Sequence, residues 1–138
     1  LPDAGFDLVT MNPPYKAENA GIKSKSENEK IARHETMCNI NDICAAAARL
    51  LKFGGRFCVC IRPERMFETM KRMSVQKLEP KRLRLVVSRN NERPWLCLIE
   101  SRLGGKSGMV IENNLTIYNE NGEYSDEMLG ILKPYREE

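Results

Sequence analysis

Apolar positions in this chain follow two periods, and the switches between them divide it into strands and helices. Phe6–Met11 is a run of strand length and strand composition, the pattern expected of a parallel strand buried on both faces. It runs into Asn12-Pro13-Pro14-Tyr15. Two consecutive prolines cannot continue a sheet ladder, so the strand is expected to stop at Asn12. Ile40, Ile43, Cys44, Ala47, Leu50 and Leu51 then follow helical spacing. They predict a helix over residues 36–53, with Asn39 and Asp42 as its start signal and Gly54 or Gly55 as its stop. Residues 56–61 return to a strand. Arg62-Pro63-Glu64 opens a second helix, with Met66, Phe67, Met70 and Met73 on one apolar face. Leu83, Leu85 and Val87 alternate with Arg82, Arg84 and Val86 in a strand over residues 81–88. A polar turn and a further strand over residues 94–103 complete an expected antiparallel hairpin. Beyond the Gly/Ser/Lys linker at 104–108 come two short extended segments, 109–111 and 115–118. The turn Asn119-Glu120-Asn121-Gly122 and a short helix over 125–132 follow.

Composition narrows the class. A chain of 138 residues with 30% charged side chains reads as soluble and globular, with one domain's worth of residues. No apolar run approaches membrane-spanning length, so no membrane partner is expected. No signal-peptide pattern is present, and the first residue is Leu1 rather than methionine; Leu1 is read as internal to a longer protein. The five cysteines, Cys38, Cys44, Cys58, Cys60 and Cys97, are odd in number, which argues against a disulfide framework and fits a cytoplasmic location. With no C-x-x-C pair, no metal is expected, and the cysteines are read as small buried hydrophobes. Cys58 and Cys60 alternate on a strand and so face the same side.

Charge is segregated. Residues 62–93 carry ten basic and four acidic side chains, whereas residues 94–138 carry four basic and eight acidic. The basic middle fits an electrostatic footprint for RNA phosphate, with a solvated face that has no partner as the alternative.

The candidate chemistry sits where the first strand ends. Phe6-Asp7-Leu8-Val9 followed by Asn12-Pro13-Pro14-Tyr15 resembles motif IV of the S-adenosylmethionine-dependent methyltransferases that modify exocyclic amino groups. Ile31-Ala32-Arg33-His34-Glu35, Leu50-Leu51-Lys52-Phe53-Gly54-Gly55-Arg56-Phe57, Arg62-Pro63-Glu64-Arg65 and the stretch from Leu78 to Arg84 resemble the bacterial tRNA adenine-N6 methyltransferase family. The similarity covers nearly the whole chain but only the C-terminal half of such an enzyme. It implies an α/β fold: part of a Rossmann-like methyltransferase sheet, parallel strands with helices, closed by an antiparallel hairpin. Residues 1–105 would be the partial catalytic domain and 106–138 a C-terminal hairpin and short helix. The glycine-rich turn that would hold most of the cofactor, S-adenosyl-L-methionine, is not in this sequence: Gly54-Gly55 and Gly104-Gly105 lack its spacing. Of the cofactor contacts, the resemblance leaves only Asn12 in this chain, and an incomplete cofactor site is expected.

The resemblance also implies roles. An exocyclic amino nitrogen is a poor nucleophile because its lone pair is delocalised into the ring. Two acceptors on its hydrogens, the Asn12 side-chain carbonyl and the Pro13 backbone carbonyl, would localise that pair and aim it at the methyl carbon. Pro13 and Pro14 stiffen the turn before substrate arrives. Tyr15 offers a flat face on which an unstacked base can lie. Asn12, Pro13, Pro14 and Tyr15 are thus the candidate catalytic residues. Lys23, Lys25, Arg33 and His34 in the long polar loop over residues 16–35, with Arg62 and Arg65, are the candidate substrate contacts, with tRNA as the partner. The loop reads equally as a substrate-gripping segment or a solvated connection. Enzymes that methylate a glutamine amide of peptide release factors share the tetrad, and DNA adenine methyltransferases carry close variants. A non-catalytic fragment that binds nucleic acid through its basic middle is the alternative from another class. An open strand edge at β-strand Phe6–Met11 leads to an expectation of self-association.

Overall fold

The computed structural model describes residues 4–13 and 40–136. They form one mixed sheet with two helices against one of its faces. The strands are β1 (Phe6–Met11), β2 (Leu51–Ile61), β3 (Leu78–Val87), β4 (Leu96–Leu103), β5 (Val110–Ile111) and β6 (Leu115–Thr116). Residues 40–50 are helical and are called α1; α2 is Met66–Val75 and α3 is Asp126–Leu132. No helix among the described residues is long and apolar enough to cross a membrane.

The spatial order is β1-β2-β4-β3-β5, with β6 also on β3. β1 and β2 are parallel, with Thr10 opposite Cys58 and Met11 opposite Val59. β4 is antiparallel to both β2 and β3. The α2 crossover carries the chain from β2 to β3 over one face and leaves a strand-wide slot between them. The hairpin partner β4 fills that slot. The expected α/β sheet with its antiparallel hairpin is therefore present.

The core lies between α1, α2 and one face of the sheet. Ile40, Cys44 and Ala47 of α1 meet Phe57, Val59 and Ile61 of β2, Met73 of α2, Leu78 and Leu83 of β3, and Cys97 and Ile99 of β4. The period-2 alternation in β2, β3 and β4 puts these residues on one side. At its centre Ser101, fully buried, donates Oγ–H to the Phe57 carbonyl at 3.1 Å.

Several expectations need correction. β1 is not buried on both faces: all its residues but Val9 are exposed. It is the outermost strand, paired only with β2 among the described residues, and no described helix covers its second face. Leu51 and the following residues belong to strand rather than helix. The β1–β2 pairing jumps from Phe6↔Leu51 to Leu8↔Arg56, so residues 52–55 bulge outward, with Gly54 at φ 84°. The glycine the sequence offered as a helix stop instead turns the backbone within that bulge, where Lys52 pairs with Asp7. Phe67 does not share the buried face of α2; it is 77% exposed, while Met73 is buried. β3 starts before Pro80, earlier than expected. The proline is accommodated because the ladder to β4 slips there and pairing to β5 begins only at Arg82.

The C-terminal segment forms the outer edge of the same sheet. β5 lies beside Arg82–Leu83 and β6 beside Val86–Val87. The interruption between them is pinned by Arg82, whose Nε donates to Glu112 Oε2 at 2.7 Å, and by Arg84, whose Nε donates to the Asn113 carbonyl at 2.8 Å. The expected turn after Tyr118 forms. Asn119 Oδ1 accepts from the backbone N–H of Asn121 and Glu123, and the rings of Tyr118 and Tyr124 stack at 5.7 Å. Ser125 caps α3, its Oγ accepting from Met128 N–H at 3.1 Å.

Candidate active site

The carboxyl ends of β1 and β2 lie side by side, because the two strands are parallel and in register at Met11↔Val59. One step on, Asn12 and Cys60 are neighbours. Asn12 is exposed and Pro13 is buried, so the ring packs inward while the carboxamide stays at the surface. The Cys60 thiol donates to Asn12 Oδ1 at 3.1 Å.

Asn12 also borders a cavity of about 480 Å³ on the sheet face opposite the two helices. Thr10, Cys58, Cys60, Leu98, Glu100 and Arg82 line it. These are the residues whose strand parity sets them opposite the core residues Val59, Ile99 and Leu83. Cys58 and Cys60 share one side, as their spacing requires, but they face this half-open cavity rather than the core. Among the described cysteines, Cys44 and Cys97 are the buried ones. Burial raises the pKa of both cavity thiols above 9.0, and at Cys58 the carboxylate of Glu100 adds to the rise. Both therefore stay protonated at neutral pH.

Across the cavity floor the charges alternate. Arg82 Nη1 donates to Glu100 Oε1 at 3.2 Å, Arg56 lies 3.8 Å from the same oxygen, and Glu112 closes the row from the outer edge. The carboxylates beside Arg82, Glu112 first, raise its pKa further and hold it cationic. The charge segregation along the sequence is thus partly cancelled in space. Arg82 and Arg84 of the basic middle pair with Glu100, Glu112 and Glu127 of the acidic end.

Of the candidate substrate contacts, Arg62 and Arg65 follow the end of β2, in and before the short 3-10 turn Pro63–Arg65. The register puts them at the same carboxyl edge as Asn12. Arg65 Nη2 bonds Glu68 Oε1 at 3.2 Å, and Arg62 lies 3.7 Å from Glu64. Pro14, Tyr15, Lys23, Lys25, Arg33 and His34 lie outside the described residues. Sequence reasoning missed Cys60, Cys58, Glu100 and the role of Arg82. The available signal was strand parity: Thr10/Asn12, Cys58/Cys60 and Arg82/Arg84 each put polar or ionisable groups at alternate positions of strands whose other positions are apolar.

No family model matches this sequence, and no curated protein does either. Solved structures do match its fold. A protein of Agrobacterium tumefaciens assigned as a predicted O-methyltransferase superposes with a TM-score of 0.68 at 17% identity, over 91% of this chain and 50% of that one. A Thermus thermophilus protein assigned as a DNA modification methylase, solved in complex with S-adenosyl-L-methionine, superposes with a TM-score of 0.56 at 15% identity, over 78% of this chain and 51% of the other. The chain spans about half the length of each. At these identities the likeness shows a shared fold.

Proposed function

We propose that this chain carries the substrate-facing part of an S-adenosyl-L-methionine-dependent methyltransferase that acts on an amino nitrogen. The observation that carries this reading is the position of Asn12. A carboxamide with a buried proline behind it stands at the carboxyl end of a parallel strand, in a fold shared with methyltransferase structures. Ligands in open α/β sheets sit at that edge. Asn12 Oδ1 and the Pro13 carbonyl would accept the two amino hydrogens and localise the nitrogen lone pair. A nitrogen held this way would attack the methyl carbon in line as the sulfur leaves as a neutral thioether, and would then lose one proton to solvent; positioning would supply most of the rate. S-adenosyl-L-methionine would supply the methyl group, and of this chain's residues Asn12 would border it.

For the substrate we infer an adenine N6 in RNA, a tRNA near its anticodon, from the resemblance at Ala32-Arg33-His34-Glu35 and Arg62-Pro63-Glu64-Arg65. Tyr15 would stack the unstacked base, worth about 1–3 kcal/mol, and Lys23, Lys25, Arg33, His34, Arg62 and Arg65 would meet the nucleic acid. Supplying the native protein with tRNA, a peptide release factor and DNA side by side, with labelled cofactor, tests this. Label in tRNA supports the reading; label only in the release factor or DNA keeps the chemistry and replaces the substrate. Calorimetric titration of these 138 residues with S-adenosyl-L-methionine separates a binding chain from one that engages nucleic acid alone. The outer edge of β1, which pairs with no further strand among the described residues, supports self-association, which sedimentation reads directly.

A further inference from the structure

The geometry points to Cys60 as the positioning residue for Asn12: its thiol, by donating to Oδ1, fixes which end of the carboxamide meets the substrate nitrogen. This rests on the methyltransferase reading above and adds to it a residue that the motif does not contain.

An asparagine side chain is nearly symmetric in shape but not in chemistry. A half-turn about its last bond replaces a carbonyl acceptor with an NH₂ donor. An acceptor localises the lone pair of an incoming amino group, whereas a donor opposes its N–H bonds. Exposed just past the end of β1, Asn12 would sample both orientations. Cys60 biases the choice. Its Sγ lies 3.1 Å from Asn12 Oδ1, and a thiol is a donor whose sulfur accepts only weakly. The NH₂ end therefore finds a poorer partner at that position than the oxygen does.

Three further features make Cys60 suited to this. The parallel register at Met11↔Val59 fixes the approach of the two side chains through backbone hydrogen bonds rather than through a mobile loop. Burial raises the thiol pKa above 9.0, so the donor proton is present throughout the neutral range. A thiolate would instead repel Oδ1. Finally, a carbonyl oxygen has two lone pairs, and a weak donor on one leaves the other free for the amino hydrogen. A charged donor there would draw electron density from the acceptor that the reaction needs.

Two readouts test this. The first needs no turnover: the carboxamide ¹³Cγ resonance of Asn12, measured in the native protein and in its Cys60→Ala and Cys60→Ser variants. Loss of the donor in Cys60→Ala is expected to move the resonance upfield, and the hydroxyl of Cys60→Ser to restore it. An unchanged resonance in Cys60→Ala would overturn the inference. The second is kinetic. A net hydrogen bond of about 0.5–1.5 kcal/mol corresponds to roughly a two- to tenfold change. Cys60→Ala should therefore lower kcat by that factor with the cofactor KM unchanged, and Cys60→Ser should recover most of it. Equal kcat in Cys60→Ala, or a loss confined to KM, overturns the positioning role while leaving methyl transfer by Asn12 intact. Absence of transfer by the wild-type protein to any amino acceptor would instead refute the functional reading, and the resonance would still decide whether the thiol orients the amide.

Discussion

Arg84 Nη2 donates to Glu127 Oε2 at 2.5 Å and so joins β3 to the helix that ends the sheet's outer edge. The same guanidinium holds the Asn113 carbonyl through Nε. One side chain therefore pins both the interruption between β5 and β6 and the helix beyond them. Glu127→Gln, which removes only the charge, is expected to cost about 0.5–1 kcal/mol, as half-exposed pairs do. Arg84→Ala should cost roughly 1–3 kcal/mol, because hydrogen bonds to a charged donor are lost with the pair. Urea unfolding of both variants checks the order. A high-salt buffer should shrink the Glu127→Gln effect and leave most of the Arg84→Ala effect.

Gly104 takes φ 75° as the chain leaves β4, and its N–H bonds the Lys77 carbonyl at 2.8 Å. A Cβ there would meet the ring of Phe53. That ring is 80% exposed and free to swing aside, so the backbone conformation sets the cost. Gly104→Ala should destabilise by about 1–2 kcal/mol, Gly104→Asn by less, and Phe53→Ala should not rescue the alanine. Rescue in a thermal melt would mean that the ring contact dominates.

Burial raises the Cys44 thiol from 9.0 to about 11, against a smaller lowering by Arg72. The folded chain therefore keeps a proton that the unfolded chain releases. Stability from this group is complete below pH 9.0 and is lost as pH rises to about 11. At 1.36 kcal/mol per pKa unit the loss approaches about 2–3 kcal/mol. Unfolding free energies at about pH 8 and about pH 11 should differ by less in Cys44→Ala than in the wild type. Parallel slopes would remove Cys44 as the source.

Asn12→Ala in the native protein should abolish most methyl transfer and leave cofactor affinity within about a factor of two, since its main partner in the reaction is the amino group. A variant with wild-type kcat would take the proposed chemistry away from Asn12. The fold should be undisturbed, because Asn12 is exposed and the ring behind it belongs to Pro13.

Local chemistry explains how much of this was legible beforehand. The end of β1 at Asn12, the β3–β4 hairpin, the Asn119–Gly122 turn and the inward face of α1 follow from proline, periodicity and turn residues that act over a few positions. The bulge at 52–55 was not legible. A glycine after an apolar helix looks like a helix stop, and only the pairing of Phe6 with Leu51 reveals that the strand has already begun. Exposure of β1 was not legible either, since the same apolar run suits a central or an outermost strand. Cys60 looked like any small core residue. Its contact with Asn12 spans 48 positions and exists only because two strands are parallel and in register.

The slot filled by β4 also has a consequence for synthesis. β2 and β3 are made first and never bond to each other; β4 joins them. A ribosome that has delivered the chain only as far as Trp95 has produced two strands whose facing edges are both vacant, with α2 lying over a gap. The nascent core cannot close until residues 96–103 clear the exit tunnel. During that interval, the vacant edges are the surface open to pairing with another chain.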